Sequence, residues 1–404
     1  MKKLVLTLPF LFLANLALAS GFALYEFSAR GNAMGGAVLA GEAEPASLAV
    51  NPALITELPG KQIQLGATVV TATGHVVYDG IDGRSKRQWW PLPHFYYTQQ
   101  LDDNLWFGVG TFARFGLSND YEDKAWMGTT ISLYHVGVTT FSIQPTVAYK
   151  ATDKLSFALG MEAQYLNFTE KIRFGDAVNM NLDGDSVAIS GIFALFYNVN
   201  EKVNFGANFR LKSNHNVTGP AKFNPGTTGF VNGGDFWGDI SFPAQLTLGA
   251  SWKATDKLLL EFNWTNVFWS CFEAIDIYFD HTPVTGNPGL MGNHRNNSKK
   301  YQDAYRVGFG AEYTLTDDIK LRGSFIFDKS PINKGFMDPM LPVDDRYIIG
   351  TGAGFKLSEN TILDLSYNLL FATRLNGVNA AHTTTVHYGS STSHLMGLSF
   401  RYKF

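Results

Sequence analysis

The chain has almost no cysteine: Cys271 is alone among 404 residues, so no internal disulfide can staple the fold. Charge is sparse as well. Asp, Glu, Lys and Arg make up 17% of the chain and the formal net charge is −3, which leaves no basic footprint for nucleic acid. Beyond the first apolar segment no run of about 18 apolar residues occurs, although hydrophobic residues are 45% and aromatics 14% of the chain. Ordinary helical membrane spans are thereby excluded. The nine histidines are scattered, with no H-x-x-x-H or Cys-His grouping to hold a metal. Asp183 and Asp185 flank Gly184, but too few ligands follow for a calcium loop. A His, an acid and a Ser could still meet across strands in a barrel hydrolase. The expectation is a protein that is not an enzyme and takes no cofactor and no metal.

What is present is alternation. Ile63, Leu65, Ala67 and Val69 alternate with Gln62, Gln64, Gly66 and Thr68, and Leu105, Phe107 and Val109 with Trp106, Gly108 and Gly110. Period two predicts strands near 61–74, 92–101, 104–117, 138–151, 154–170, 184–199, 202–216, 240–254, 257–271, 302–315, 319–329, 346–357, 361–372 and 392–404. A mean hydropathy near zero (−0.04) fits strands with one face toward lipid and the other toward water.

The connections alternate in length. Compact polar turns at 101–104, 151–154, 200–201, 254–257, 316–318 and 358–360 are separated by long segments at 75–91, 118–137, 171–183, 217–239, 272–301, 330–345 and 373–391. Every second strand end therefore returns to one side. This predicts an all-β fold: a fourteen-stranded antiparallel transmembrane barrel over 61–404, ending on the aromatic Phe404, with short turns and both termini in the periplasm. Localisation follows as the outer membrane of a Gram-negative cell. Met1-Lys2-Lys3, the apolar stretch Leu4 to Leu18 and Ala17-Leu18-Ala19 make residues 1–19 a cleavable signal peptide, so Ser20 should begin the mature chain.

One hairpin fixes the register. If Thr316 to Asp318 form its turn, Glu312 lies across from Arg322 and Arg306 from Asp328, so that charges pair inside the lumen. Turned outward near mid-membrane, a Lys or Arg would cost roughly 2–4 kcal/mol. The structural ion-pair reading of Arg306 stands beside a ligand-contact reading.

Residues 20–60 do not fit the barrel. They carry Gly31, Gly35, Gly36 and Gly41 and no strand period long enough to cross a membrane. Such a stretch must dangle or fold back into the lumen, and a fourteen-stranded barrel has room for it. Gly31 to Gly36 does not match a phosphate loop, since no strand precedes it.

Here a family resemblance enters. The stretch from Ser20 through Gly21, Phe22, Ala23, Leu24, Tyr25, Glu26 and Phe27 to Ser28, followed by Asn51-Pro52-Ala53-Leu54-Ile55-Thr56, resembles the N-terminal hatch of the FadL-type long-chain fatty-acid transporters, which include the TodX-like hydrocarbon channels. Asp303-Ala304-Tyr305-Arg306, Asp328-Lys329-Ser330-Pro331 and Asp344-Asp345-Arg346 also resemble that family's late-barrel motifs, in order. The resemblance implies a hatch over 20–60 that plugs the lumen, with Phe22, Asn51, Pro52 and Ala53 in its gating parts and Phe22 also a ligand-binding candidate. Loops would capture a long-chain fatty acid or hydrocarbon, an apolar pocket beside the hatch would hold it, and a kink in the third strand, here at Phe115-Gly116-Leu117, would release it sideways into lipid. A plain strand end at Gly116 is the alternative. The family behaves as monomers.

Ligand-binding candidates follow. Trp126, Met127, Ile131, Leu133 and Tyr134 form one apolar loop cluster, and Phe230, Phe236 and Trp237 a second; loop-to-loop packing explains both as well as cargo capture does. Lys299 and Lys300 stand close to where the family places a basic ligand contact, with a solvated pair or a contact to anionic lipopolysaccharide as the alternative. For the family's arginine on the fifth strand the nearest match is Asn167, with Lys171 and Arg173 displaced, which fits a neutral cargo. Arg306, Asp328, Glu312, Arg322 and Arg346 are the expected lumen charges. The reading from a different class is a general diffusion porin or an adhesin-like structural barrel.

Overall fold

The computed structural model describes residues 21–124, 126–127, 131–175, 178–225, 234–280 and 293–404. The expected leader at 1–19, Ser20, Phe230 and His281 lie outside the described residues. Alternation resolves into one antiparallel sheet of nineteen hydrogen-bonded segments, which make fourteen crossings because five crossings are each broken in two. In chain order they are Lys61–Ala72, Gln88–Gln100, Leu105–Phe112 with Gly116–Asp120, Ile131–Thr152, Leu155–Phe174, Val178–Asn200, Val203–Arg210 with Ser213–Pro225, Gly234–Phe242 with Gln245–Thr255, Leu258–Val267 with Ala274–Phe279, His294–Ser298 with Ala304–Thr314, Ile319–Asp328, Arg346–Ser358, Thr361–Ala372 and Ser391–Lys403. They are called the first to fourteenth strands below. The first pairs with the fourteenth, from Gln62 opposite Lys403 to Thr71 opposite His394, and the barrel closes.

The two faces differ as a membrane requires. On the fifth strand Phe157, Leu159 and Met161 are exposed, while Ala158, Glu162 and Gln164 between and beyond them are buried. The sixth strand repeats this with exposed Val187 and Ile189 against buried Ala188 and Ser190. Slipping the register by one residue would reverse both faces at once, which is why the outward apolar set specifies it so firmly. The tenth and eleventh strands pair Arg306 with Asp328 and Glu312 with Arg322.

Several strands run further outward than the sequence suggests. The expected loop at 171–183 is mostly ladder: the fifth and sixth strands stay paired up to Phe174 opposite Val178, beside a left-handed Gly175 (φ +54). Lys171 and Arg173 face outward there, above the apolar belt, so their polarity reads as loop although Ile172 and Phe174 still alternate inward. The expected loops at 75–91 and 373–391 contribute a second, four-stranded sheet from Leu375–Val378, Thr385–Tyr388, His75–Tyr78 and Ile81–Arg84. Its inner hairpin turns at Asp79 (φ 52) and Gly80 (φ 78). An Asp-Gly pair with both φ positive matches the twist of flanking strands, so the hairpin is encoded locally.

The stretch from Gly21 to Pro59 packs against strands all around the inner wall. Ser28 caps the helix Ala29–Ala33 by accepting from Gly31 N–H at 2.9 Å, and its hydroxyl donates to Glu44 at 2.6 Å. Asn51 precedes Pro52, which opens the 3-10 turn Pro52–Glu57; the Asn51 side chain accepts from Ala53 N–H and donates to Leu39 O at 2.8 Å and Leu195 O, on the sixth strand, at 3.1 Å. Thus the Asn-Pro-Ala motif caps a turn and ties it to the wall at once. Arg210, on the seventh strand, donates to Ala49 O at 2.6 Å, and Gln144, on the fourth, to Leu48 O at 2.7 Å. The wall is lined with glycine where this stretch comes close: a Cβ on Gly308 or Gly310 would stand 2.4 Å from Gly35 O or 2.5 Å from Met34 O.

Candidate functional site

The site begins at the break in the third strand. Phe112 pairs with Ser142 and Gly116 with Thr139, so three residues, Ala113 to Phe115, face two across the fourth strand and leave the ladder. Excess length on one strand bends it, and a glycine at the end of the bulge adds freedom. Thr140 repairs the gap, accepting from Phe115 N–H at 3.0 Å and donating to Phe115 O at 2.7 Å.

The N-terminal stretch stitches the other edge. Leu24 N–H donates to Arg114 O at 2.8 Å, Gly116 N–H donates to Phe22 O at 3.1 Å, and Ala23 forms an antiparallel bridge with Phe115. Gly116 therefore sits where the expected kink falls, with its amide engaged by Phe22.

A side opening results. The second strand pairs with the third only from Phe95 opposite Thr111 to Gln100 opposite Trp106. Above that the next backbone contact is Lys86 N–H to Asp120 O at 2.8 Å. Between them lies a cavity of about 280 Å³, lined on the wall by Trp90, Leu92, Leu117 and Val138, inside by Leu24, Phe115 and Leu370, and above by Leu341 and Val343. Its charged lining groups are Glu26 and Arg346.

Phe22 enters an aromatic cage. Its ring centroid is 4.6 Å from Trp269, 5.8 Å from Phe272, 5.9 Å from Phe242 and 6.2 Å from Phe115, mostly edge to face. Such pairs contribute about 0.5–1.5 kcal/mol each beyond area burial.

The lumen charges hold the same stretch. Asp328 accepts from Arg346 Nε at 2.9 Å and from Arg306 Nε at 3.4 Å, while Arg306 Nη2 donates to Ala23 O at 3.2 Å and its guanidinium lies 4.5 Å from the Tyr25 ring centroid. Lower down, Glu312 accepts from Arg30 at 3.0 Å and Arg322 at 2.7 Å, and Arg322 continues to Asp364 at 2.6 Å. Burial pushes the Glu26 carboxyl above its ordinary range, against the pull of Tyr25 N–H, Arg306 and Arg346.

The loop candidates are spread more widely. Trp126 is buried, stacks on Tyr121 at 4.5 Å and donates from Nε1 to Leu133 O at 2.9 Å, so Trp126, Met127 and Leu133 pack on one another, while Ile131 is exposed. Phe236 points inward and Trp237 outward onto Tyr278, so they do not form one patch. Lys299 is buried and paired with Asp338; Lys300 lies 4.9 Å from the Phe336 ring centroid. Asn167, Lys171 and Arg173 all share the outward face of the fifth strand, so none of them reaches the lumen. Glu26 carried no role in the sequence reading. A lone carboxylate between Tyr25 and Phe27 was the available signal.

Taken together, barrel closure, an apolar outer belt and a side cavity give the architecture of an outer-membrane β-barrel. The family model for outer membrane protein transport proteins (OMPP1/FadL/TodX) matches residues 10–404, and the chain belongs to that family. Similar curated proteins include a putative outer membrane protein of Neisseria meningitidis, 24% identical over 466 residues with 100% of this chain and 99% of the relative covered. The long-chain fatty acid transport protein of Escherichia coli K12 is 20% identical over 424 residues, covering 91% of each chain. Among solved structures, a Pseudomonas aeruginosa FadL homologue superposes with a TM-score of 0.84 at 16% identity, covering 95% of this chain and 100% of the other. The Pseudomonas putida toluene transporter TodX superposes with a TM-score of 0.77 at 20% identity, covering 96% and 99%. These likenesses establish the barrel fold.

Proposed function

We propose that this outer-membrane protein takes up hydrophobic small molecules, long-chain fatty acids or neutral hydrocarbons, through a lumen plugged by residues 20–60 and released sideways at the break in the third strand. The observation that carries the reading is the cavity beside Gly116, whose inner edge is stitched by Phe22 and Leu24. A long acyl chain is rejected by the lipopolysaccharide leaflet and by a hydrated pore alike, so its path needs an apolar pocket and an exit that keeps the tail dry. An apolar cavity between two unpaired strand edges supplies both. The fatty-acid and toluene relatives named above support this cargo class.

In this reading Phe22 leaves its cage as the stretch up to Ser28 moves, while Asn51, Pro52 and Ala53 keep the rear of the plug fixed. Ile131 offers apolar contact at the mouth on a base formed by the packed Trp126, Met127 and Leu133, and Lys300 a cation that Phe336 holds in place; Lys299 serves through its pair with Asp338. The protein works as a monomer among lipid and lipopolysaccharide. Deletion of Ser20 to Leu58 tests the reading. A folded barrel with raised ion conductance and lost uptake is expected; unchanged uptake contradicts it, and steady conductance by the intact protein favours a diffusion porin.

A further inference from the structure

Glu26 lines the side cavity, is 8% exposed, and among the described residues has no cation within salt-bridge distance of its carboxylate. One of its oxygens accepts from Tyr25 N–H at 2.9 Å. The charges that reach it are Arg306, Arg346 and, through them, Asp328. With Glu26 ionised, two guanidiniums face two carboxylates and the group is neutral. With Glu26 protonated, one positive charge is unmatched beside an apolar cavity, where an unmatched charge is costly. The neighbouring loop does not offset it: Lys329 there faces Asp344 and Asp345, and burial together with the charge of Asp344 pushes Asp345 up to about 8, so that group is close to neutral by itself. Tyr25 is uncharged, and Thr140, Ser391 and Ser393 on the cavity wall carry no charge.

We propose that Glu26 is a tethered stand-in for an anionic head group: an alkyl chain ending in a carboxylate or similar anion binds the side cavity with its head toward Arg346 and Arg306, and Glu26 takes up one proton as it does so. The proposal rests on the uptake reading and deepens it. The tail lies along Leu24, Leu92 and Leu117, and the proton comes from solvent, so charge in the cavity is conserved. A neutral hydrocarbon needs no such proton. An anionic cargo thus loads only at the cost of a proton, and it leaves toward lipid when Glu26 gives the proton to the departing head, which departs as the neutral acid while Glu26 again neutralises the arginines.

The test uses the full-length mature protein in lipid nanodiscs, with protein-free nanodiscs as the blank, titrated calorimetrically with decane-1-sulfonate, which stays anionic, and with decan-1-ol. For the unaltered protein, sulfonate affinity is expected to fall about tenfold per pH unit once Glu26 ionises. Repeating the titration in buffers of different ionisation enthalpy should count about one proton taken up per sulfonate. Glu26→Gln should bind sulfonate tightly, without pH dependence and without proton uptake. Decanol should bind the unaltered protein with no proton uptake. Decanol binding with sulfonate affinity that is pH-independent in the unaltered protein, or that keeps its slope in Glu26→Gln, overturns the role of Glu26 alone. Failure of both probes to bind the unaltered protein overturns the uptake reading and this proposal with it. Because the proton count is taken on the unaltered protein, a variant that folds poorly does not decide the matter.

Discussion

Arg30 of the N-terminal helix donates to Glu312 of the tenth strand at 3.0 Å, and both side chains are shut off from solvent. Glu261 stands 3.5 Å from the same guanidinium, so Arg30 joins the N-terminal stretch to two strands. Removing one member of a buried pair costs about 3–5 kcal/mol, because the other charge is left uncompensated. Arg30→Ala is expected to weaken the seating of residues 21–60 by that order while the barrel stays closed. Planar-bilayer recordings should show higher conductance, and limited proteolysis should cut the N-terminal stretch.

The wall glycines make an independent demand. A Cβ at Gly310 would lie 2.5 Å from Met34 O, a backbone atom that cannot swing aside, whereas one at Gly323 meets nothing within 4 Å. Gly310→Val is therefore expected to raise conductance as Arg30→Ala does, and Gly323→Ala to leave it unchanged. Equal conductance in the two glycine variants would show that close approach at Gly310 is immaterial.

Outside, the apolar belt sets stability. Leu159 is 61% exposed on the lipid face of the fifth strand. Leu159→Lys should destabilise the barrel by about 2–4 kcal/mol in refolding titrations with phosphocholine bilayers if it lies near the midplane. A change within about 0.5 kcal/mol would be the ordinary result for a residue facing water.

The loop at 329–345 should respond to pH. Asp345 is buried and accepts from Ser330 N–H at 3.3 Å; burial and then the charge of Asp344 push its carboxyl from 3.8 up to about 8. A carboxyl that holds its proton more tightly in the docked state stabilises that state fully below its unfolded value, and the benefit drains away as pH rises toward the docked value. The window is pH 4 to 8. Hydrogen exchange across 329–345, corrected for intrinsic rates, should show more opening at pH 9 than at pH 5, and Asp345→Asn should lose most of the difference.

Much of the barrel was legible because membrane crossing imposes period two on every strand, and a lipid-facing residue must be apolar. The pairs Arg306 with Asp328 and Glu312 with Arg322 followed from one turn placement. Above the belt that constraint lapses. Lys171 and Arg173 face outward on a fully paired strand, so the ladder there looked like a loop. The cavity was legible only as a glycine at the right place: Gly116 marks the break, but the stitches from Phe22 and Leu24 join residues about ninety positions apart, which no local pattern encodes. Lys299 illustrates the opposite failure, a charge that looked available and is spent on Asp338, 39 residues on.

Movement of the N-terminal stretch at the break in the third strand is the central claim, and one crosslink tests it. Ala23 and Phe115 are bridge partners, a spacing that suits a disulfide, and Cys271 is the one native thiol to remove. In a Cys271→Ser background carrying Ala23→Cys and Phe115→Cys, uptake of a labelled long-chain fatty acid or of toluene should be blocked in the oxidised protein and restored on reduction. Equal uptake by the oxidised and reduced forms would mean that cargo passes without that stretch moving.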